Sequence, residues 1–281
     1  MRAVEAWTCP GCSTAVATPY CPSCGERALR ASDLTLRGLA HQAAVAMVSI
    51  DGRLIRSFLC LVRHPGELTR AYLRGRRKAY LAPLQVFLVA NVAFFAMQSM
   101  TGDKILSTTL AGHLQTQIWS PLAQQLVADR LQTTQRTLDA YAPVFDRAVA
   151  LNAKSLIVLM AVAFSGLLPV LFRRSRQPFV THAVFALHFY GFVLLVLCGA
   201  LALAFAEVSS GGAGLRSEMF DHALSLVILA VCAVYLYVAT GVVYREVGAP
   251  RVLKVAVLVV GVAGIFLGYR CALLLITLFT T

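Results

Sequence analysis

The sequence predicts an all-α polytopic membrane protein with a small cysteine-rich head at its N-terminus. Hydrophobic residues make up 58% of the 281-residue chain and charged residues 14%, with a mean hydropathy of +0.72. An ordinary soluble domain is about 25% charged, so a single soluble domain is excluded. Ahead of the apolar part of the chain stand two Cys-x2-Cys units, Cys9 with Cys12 and Cys21 with Cys24.

Five windows are long and apolar enough to cross a hydrocarbon core about 30 Å thick, which takes about 20 helical residues. These segments must be helical, because lipid cannot satisfy free backbone groups. The predicted spans, within a transmembrane domain of residues 83–281, are 83–101, 152–172, 179–207, 222–244 and 252–279. The stretch 102–151 is too polar to span but keeps a helical rhythm. It is expected to be an external helical hairpin broken near Ser120 and Pro121, or a plain connector packed on the spans.

Basic residues near the ends of these spans fall mostly on alternate connections. Ten of them flank one set of ends: Arg74, Arg76, Arg77, Lys78, Arg173, Arg174, Arg176, Arg245, Arg251 and Lys254. Three flank the other set: Lys104, Arg147 and Arg216. The positive-inside rule therefore predicts a cytoplasmic N-terminus and a C-terminus outside. Residues 1–24 also lack the apolar core of a cleavable signal peptide.

Residues 31–82 are predicted to form juxtamembrane amphipathic basic helices. Apolar residues recur at helical spacing after a cap at Asp33 and again opposite a basic stripe of Arg53, Arg56 and Arg63. The apolar residues are Leu36, Leu39, Ala43, Met47 and Ile50, followed by Ile55, Phe58, Leu59 and Val62. Two interpretations fit this pattern equally. The helices lie on anionic headgroups, or they pack on the cytoplasmic ends of the spans.

Residues 1–30 are predicted to form a cytoplasmic zinc ribbon. The two Cys-x2-Cys units are eight residues apart and supply four thiolates, the tetrahedral ligand set of a structural zinc site. Tight turns that point backbone N–H groups at the sulfurs are favoured by Pro10, Pro22 and Gly25. So short a segment has little core of its own, so metal binding is expected to supply much of its folding free energy.

Two disulfides or an iron centre are the alternatives at this site. Disulfides do not suit a cytoplasmic head, where thiols stay reduced, whereas iron uses the same tetrahedral sulfur geometry. Four cysteine ligands leave no coordination position for an activated water, so catalysis at the metal is not expected. The remaining cysteines are interpreted as small apolar packing residues: Cys60, Cys198, Cys232 and Cys271.

Polar residues inside the predicted spans are candidates for an intramembrane site, because burying ionisable groups in lipid is costly. The candidates are Asn91, His188, Glu207 and Arg270. We expect Glu207 or Asp221 to pair with Arg270; snorkelling of Arg270 to the interface is the alternative. Asn91 shares a face of the first span with Gln85 and Gln98, which indicates either a polar pathway or hydrogen bonds between packed helices.

Two further motifs precede the first span. They are His64-Pro65-Gly66 and the run from Tyr72 to Pro83, Tyr-Leu-Arg-Gly-Arg-Arg-Lys-Ala-Tyr-Leu-Ala-Pro. Together with the cysteine units, they resemble a family of bacterial inner-membrane proteins of unknown function, with an N-terminal zinc ribbon and a Gly-Lys-Arg…Tyr…Pro signature. Arg76 stands where that family favours Lys, and His64 where it favours Arg. The resemblance implies a location in the bacterial inner membrane.

The same run places aromatic and cationic groups at the level of the lipid headgroups. The residues expected to contact headgroups are Arg76, Arg77, Lys78 and Tyr80. A positional anchor without headgroup recognition is the simpler interpretation. Because the surplus of 25 Lys and Arg over 13 Asp and Glu gathers beside apolar runs, it indicates lipid contact and topology rather than nucleic-acid binding.

The sequence contains no recognisable catalytic set, neither a His-Glu-x-x-His pair nor a Gly-rich phosphate loop. We therefore expect a non-enzymatic adaptor, assembly or regulatory factor whose zinc ribbon docks a protein partner. Transport or lipid handling through the polar residues of the bundle is the alternative, and an intramembrane enzyme the third class. Small residues at four-residue spacing, such as Gly264 and Gly268, permit close helix contact within one chain or between copies in a homo-oligomer.

Overall fold

A computed structural model describes residues 6–28, 35, 52–102 and 105–281, with the side chain of Arg216 left out. The amphipathic helix predicted after Asp33 and the basic residue Lys104 lie outside the described residues. In the described part, a short two-stranded antiparallel ribbon precedes a mostly helical body. The strands are β1 (Trp7–Thr8) and β2 (Ala15–Val16), with Trp7 opposite Val16.

The helices, numbered over the described residues, are α1 (Arg53–Arg63), α2 (Glu67–Leu73), α3 (Pro83–Thr101), α4 (Leu110–Gln115), α5 (Ser120–Thr134), α6 (Leu138–Leu156), α7 (Val158–Leu171), α8 (Phe179–Ser209), α9 (Glu218–Tyr244) and α10 (Gly248–Thr280). Short 3₁₀ turns at Arg173–Ser175 and Gly214–Arg216 lie between α7 and α8 and between α8 and α9. Pro83 starts α3 in the first turn, where the backbone N–H has no intrahelical partner to lose.

Four helices, α3, α8, α9 and α10, are long and apolar enough to cross a membrane. A fifth candidate span is the pair α6 and α7, which meet at an angle of 45°. The predicted span 152–172 is therefore not one straight helix. It begins inside α6 and continues through a break at Ile157 into α7. The sequence window detected the apolar length but not the bend.

Side chains from two other helices satisfy the backbone at this break. A carbonyl one turn before a helix end loses its i+4 partner. The hydroxyl of Tyr269 on α10 donates to the carbonyl of Ala153 at 2.8 Å, and the amide of Asn91 on α3 donates to that of Lys154 at 3.4 Å. Because an unsatisfied carbonyl is costly in an apolar layer, these two contacts stabilise the bend.

The segment 102–151 is helical where it is described, with α4, α5 and the first part of α6. The break expected near Ser120 and Pro121 is the start of α5, and a second break at Gln135, which adopts a left-handed conformation, separates α5 from α6. One carboxylate oxygen of Asp146 on α6 accepts from the backbone N–H of Leu110 at 2.8 Å. This contact fixes the start of α4 against α6.

Helix α8 is the centre of the body. It packs on α3, α7 and α9 and carries three of the nine largest fully buried aromatic side chains of the described residues. Ring pairs join it to its neighbours: Phe189 stacks on Phe164 of α7 at 5.0 Å, and Phe192 stacks on Tyr235 of α9 at 3.9 Å between centroids. Burial of such rings dominates core energetics. Thus α8 holds the long helices together.

Helices α1 and α2 form a hairpin that packs on α8 and α9. The hydroxyl of Thr69 lies 2.8 Å from Nδ1 of His188, deep in α8, and Leu61 is fully buried. Gly66, in the turn between the two helices, has φ +84° and lies against the backbone of Ala239. Helix α2 therefore packs on the long helices α8 and α9.

The buried and exposed sides of helix α1 differ from those that the apolar pattern predicted. Its buried residues are Ser57, Cys60 and Leu61, whereas the predicted apolar stripe keeps Ile55, Leu59 and Val62 at 65%, 45% and 51% exposure. The hairpin therefore packs through one side of α1 and leaves an apolar side outward.

The three connections rich in arginine meet at one end of the body. Arg74, Ser175 and Arg245, one from each connection, line a single cavity. We call this end the basic end. The alternation of basic and non-basic connections predicted from the sequence is consistent with this arrangement.

The turn between α1 and α2 gives a test of the packing. Replacing Gly66 by Ala places a Cβ about 2.9 Å from the carbonyl oxygen of Ala239 in a backbone conformation that disfavours side chains. We expect Gly66→Ala to lower the free energy of unfolding by about 2 kcal/mol or more. The control is Gly199→Ala, where a Cβ meets no atom within 4 Å. Thermal unfolding in detergent measures both, and equal stability of the two variants would contradict this packing.

Candidate metal centre

The cysteine head consists of two turns of the same design. In the first, the N–H of Cys9 donates to the carbonyl of Thr14 at 2.9 Å, and Ser13 donates back to the carbonyl of Cys9 at 2.8 Å. In the second, the N–H of Cys21 donates to the carbonyl of Glu26, and the N–H of Gly25 donates to the carbonyl of Cys21, both at 2.7 Å. Ser13 and Gly25 both have positive φ, 61° and 69°. Each turn therefore folds back so that its two cysteines point to the same side.

The four sulfur atoms converge on one point. Sγ of Cys9 lies 3.4 Å from that of Cys24, Sγ of Cys12 lies 3.5 Å from that of Cys21, and all four lie within 4.8 Å of one another. Tetrahedral thiolates with metal bonds of about 2.3 Å are about 3.8 Å apart, close to these separations. All four cysteines are free, not paired in disulfides. The set fits a four-coordinate metal ion.

Backbone N–H groups point at the sulfurs, as the prolines and glycine of the turns predicted. The sulfur of Cys12 accepts from the hydroxyl and the N–H of Thr14, which lower the pKa of Cys12 to about 6. The N–H of Cys24 lowers the pKa of Cys21 in the same way. The N–H of Glu26 lowers the pKa of Cys24, but the neighbouring sulfurs and burial together raise it to about 12. Such donors stabilise the thiolate form in which cysteine binds a metal.

The head contacts residues 74–82, between α2 and α3, which we call the basic segment. Glu26, which directly follows the second turn, is 5% exposed, and its carboxylate accepts from the backbone N–H of Lys78 at 3.1 Å. The ammonium group of Lys78 lies across Gly25, where it occupies the space of a Cβ. A buried carboxylate needs such partners. Glu26 was not recognised in the sequence, and its only signal was an acidic residue beside the metal ligands.

The residues predicted to contact lipid headgroups lie together between α2 and α3, but their side chains are partly engaged within the protein. The guanidinium of Arg77 stacks over the ring of Tyr72 at 4.6 Å. The hydroxyl of Tyr80 forms a hydrogen bond with the thiol of Cys60, and Arg76 lies near this pair. Lys78 is the exposed member of the set. The segment therefore joins α1, α2 and the metal head.

The polar residues predicted inside the spans engage separate neighbours. Asn91 donates to the helix break described above, and His188 contacts Thr69, while its Nε2 has no partner within the described residues. Glu207 accepts from the N–H of Gly214. Arg270 donates to the carbonyl of Ile105 at 2.8 Å and lies over the ring of Phe266.

The predicted ion pair of Arg270 is not formed as a direct salt bridge, although Asp221 is near enough to interact electrostatically with the guanidinium. Among the described residues, neither Glu207 nor Asp221 forms a salt bridge with Arg270. The carbonyl of Ile105 replaces the expected carboxylate because the connection after α3 folds over α10. Such a contact between distant parts of the chain has no local signal in the sequence.

Comparison with known families gives one match. Residues 51–95 match the model of a family described as protein of unknown function, DUF3667. The match covers α1, α2, the basic segment and the first part of α3, where the resemblance in the sequence was strongest. No curated protein and no solved structure matches the chain. The chain is thus similar, over this region, to a family that carries no assigned activity.

The metal site predicts a stoichiometry. The purified full chain should carry about one metal ion per chain, and replacing all four cysteines of the head by Ser should remove it, because each thiolate is a ligand. Cys60→Ser, outside the cluster, is the matched control and should keep the ion. Elemental analysis by mass spectrometry measures both. Retention of the ion in the fourfold variant would show that it binds elsewhere.

The contact between the head and the basic segment predicts that the backbone amide of Lys78 is protected from hydrogen exchange. Glu26→Ala removes the acceptor of the Lys78 N–H, so this amide should exchange with deuterium about tenfold faster or more. The metal content should not change, because Glu26 contacts Cys24 through its backbone. Asp129→Ala, at an exposed position of α5, serves as the control. Unchanged exchange at Lys78 would mean that the head does not dock through Glu26.

Proposed function

We propose that the protein is a multi-pass protein of the bacterial inner membrane, with its N-terminus in the cytoplasm and its C-terminus outside. Four helices, or five with the bent pair, have the length and composition of spans. The meeting of the basic connections at one end supports the orientation, since such residues stay on the cytoplasmic side. Apolar side chains on the outer surfaces of the long helices, such as Leu226 and Val260, supply the surface that lipid requires.

The metal in the head is proposed to be zinc in a structural role. Zinc favours four tetrahedral thiolates held by short loops, and this set leaves no open position for water. The head has a core of only a few residues, namely Cys9, Val16 and Cys21 with Trp7 against them. Metal binding would therefore supply the free energy that holds the two turns together.

The activity proposed for the whole chain is that of a non-enzymatic adaptor whose head docks a protein partner. One observation carries this proposal: the head contacts the body along the edge formed by Gly25 and Glu26, while most of its other described residues are exposed. Tyr20, on that surface, is 60% exposed. Exposed aromatic residues on a rigid scaffold are typical anchors of protein interfaces. A metal-stapled head fixed to the membrane body suits recruitment better than chemistry.

Transport through the bundle has less support. The four polar residues offered as a pathway each bind a different neighbour, and none donates a hydrogen bond to another within the described residues. This pattern is typical of hydrogen bonding between packed helices. It favours the adaptor over a solute pathway.

Photo-crosslinking in the native membrane tests the adaptor. A photoreactive residue at Tyr20 should give one or a few discrete protein adducts, and replacing the four cysteines should abolish them, because the surface depends on the metal. The same probe at Ile118, which is 82% exposed in the segment between α4 and α5, is the control and should not give these adducts. Identical adducts from both positions, or adducts that persist without the cysteines, would contradict the proposal.

A further inference from the structure

An open cavity of about 740 Å³ lies at the basic end, between α2, the connection from α7 to α8, and the end of α9. Its size falls within the range of about 300–1,000 Å³ that small-molecule sites occupy. The polar side chains that line it are Arg70, Arg74, Ser175, Gln177 and Arg245. The arginines and Gln177 offer hydrogen-bond donors, whereas the hydroxyl of Ser175 already donates to the carbonyl of Phe172. Three of the five side chains carry a fixed positive charge.

Among the residues that the structure describes, no carboxylate lines this cavity, and the acids beside it are already engaged. Glu67 pairs with Arg70 at 2.5 Å and faces the neighbouring cavity, and Glu246 pairs with Lys254 on α10. The guanidinium groups of Arg74 and Arg245 have no side-chain or carbonyl partner among the described residues. The cavity lining thus contains two guanidinium groups, each with five N–H donors that no described residue accepts from.

The lining of the cavity keeps a net positive charge after the negative ends of the neighbouring helix dipoles are counted. Arg74 and Arg245 stand at the C-terminal ends of α2 and α9, and each such end carries at most about half a negative charge. With the Arg70–Glu67 pair counted as neutral, the lining keeps about one positive charge. Arg173, Arg174 and Arg176 in the adjoining turn are exposed and add to the positive potential. The cavity therefore attracts anions.

We propose that this cavity binds a phosphate-bearing anion, held between Arg74 and Arg245. The planar guanidinium presents paired N–H donors that match the oxygen spacing of a phosphate, and basic pockets between the ends of membrane helices bind anionic headgroups. The amide of Gln177 supplies a neutral donor to a remaining oxygen, whereas the hydroxyl of Ser175 already donates to the carbonyl of Phe172.

Two sources share this chemistry, an anionic phospholipid and a soluble phosphate. The apolar part of the cavity lining favours the lipid. Val242 lines both this cavity and the adjoining one, where Val238, 37% exposed, continues the outward apolar face of α9. An acyl chain would follow this face while the phosphate occupies the arginines. The site is separate from the cysteine cluster, so it stands or falls independently of the metal and of a docked partner.

Binding measured on the detergent-purified full chain tests the site. The probes are dihexanoyl-phosphatidylglycerol, dihexanoyl-phosphatidylcholine and inorganic phosphate, titrated by a thermal-shift or calorimetric readout. The variants are Arg74→Gln and Arg245→Gln, singly and together. Arg174→Gln removes an exposed arginine of the adjoining turn that does not line the cavity, and it is the matched control.

We expect the phosphatidylglycerol probe to bind about tenfold more weakly in each single variant and to lose measurable binding in the double variant, since each arginine supplies charge-assisted hydrogen bonds. Arg174→Gln should bind as the unmodified chain does. If inorganic phosphate binds and is weakened by the same variants, the ligand is a soluble phosphate. If only the phosphatidylglycerol probe binds and is weakened by these variants, the ligand is an anionic lipid headgroup. Binding of every probe unchanged in the double variant, or weakened equally by Arg174→Gln, would overturn the proposal.

Discussion

The close approach of the turn after α1 to the backbone of α9 is the constraint on which the rest of the arrangement depends. Gly66 permits it, because a side chain there would collide with Ala239. The turn places α2 between α8 and α9, and the Thr69–His188 contact fixes its depth. From this position α2 determines two further features. Its end delivers Arg70 and Arg74 to the basic cavity, and the segment that follows it reaches the metal head.

The cysteine head therefore packs on the helical body instead of standing apart from it. Its two turns carry the four cysteines on one side and Glu26 on another, so one short segment both brings together a set of thiols that fits a metal ion and contacts Lys78. The segment matched by the family of unknown function, residues 51–95, holds α1, α2 and the basic run. This is the part that joins head and bundle, which suggests a physical reason for a motif there: several packing requirements meet in few residues.

Polar groups within the long helices serve mainly to satisfy the backbone. Tyr269 and Asn91 compensate the break at Ile157, Glu207 binds the turn after α8, and Arg270 holds the connection after α3. In an apolar environment each unsatisfied carbonyl or N–H costs free energy, so side chains of this kind are expected wherever a helix bends or ends. The bundle uses them to fix irregular backbone at particular places.

The sequence by itself determined the features whose signals are local. The Cys-x2-Cys spacing identified the four cysteines whose sulfurs converge, since two residues between cysteines set both sulfurs on one side of a turn. Apolar length identified the long helices, since it can be read from consecutive residues. Only the tertiary structure decided which distant groups meet. The bend at Ile157, the anchor at Glu26, the carbonyl partner of Arg270 and the cavity formed by Arg74 with Arg245 all join residues far apart in the chain. Hydropathy and spacing describe neighbours along the chain, whereas such contacts depend on how the helices pack across space.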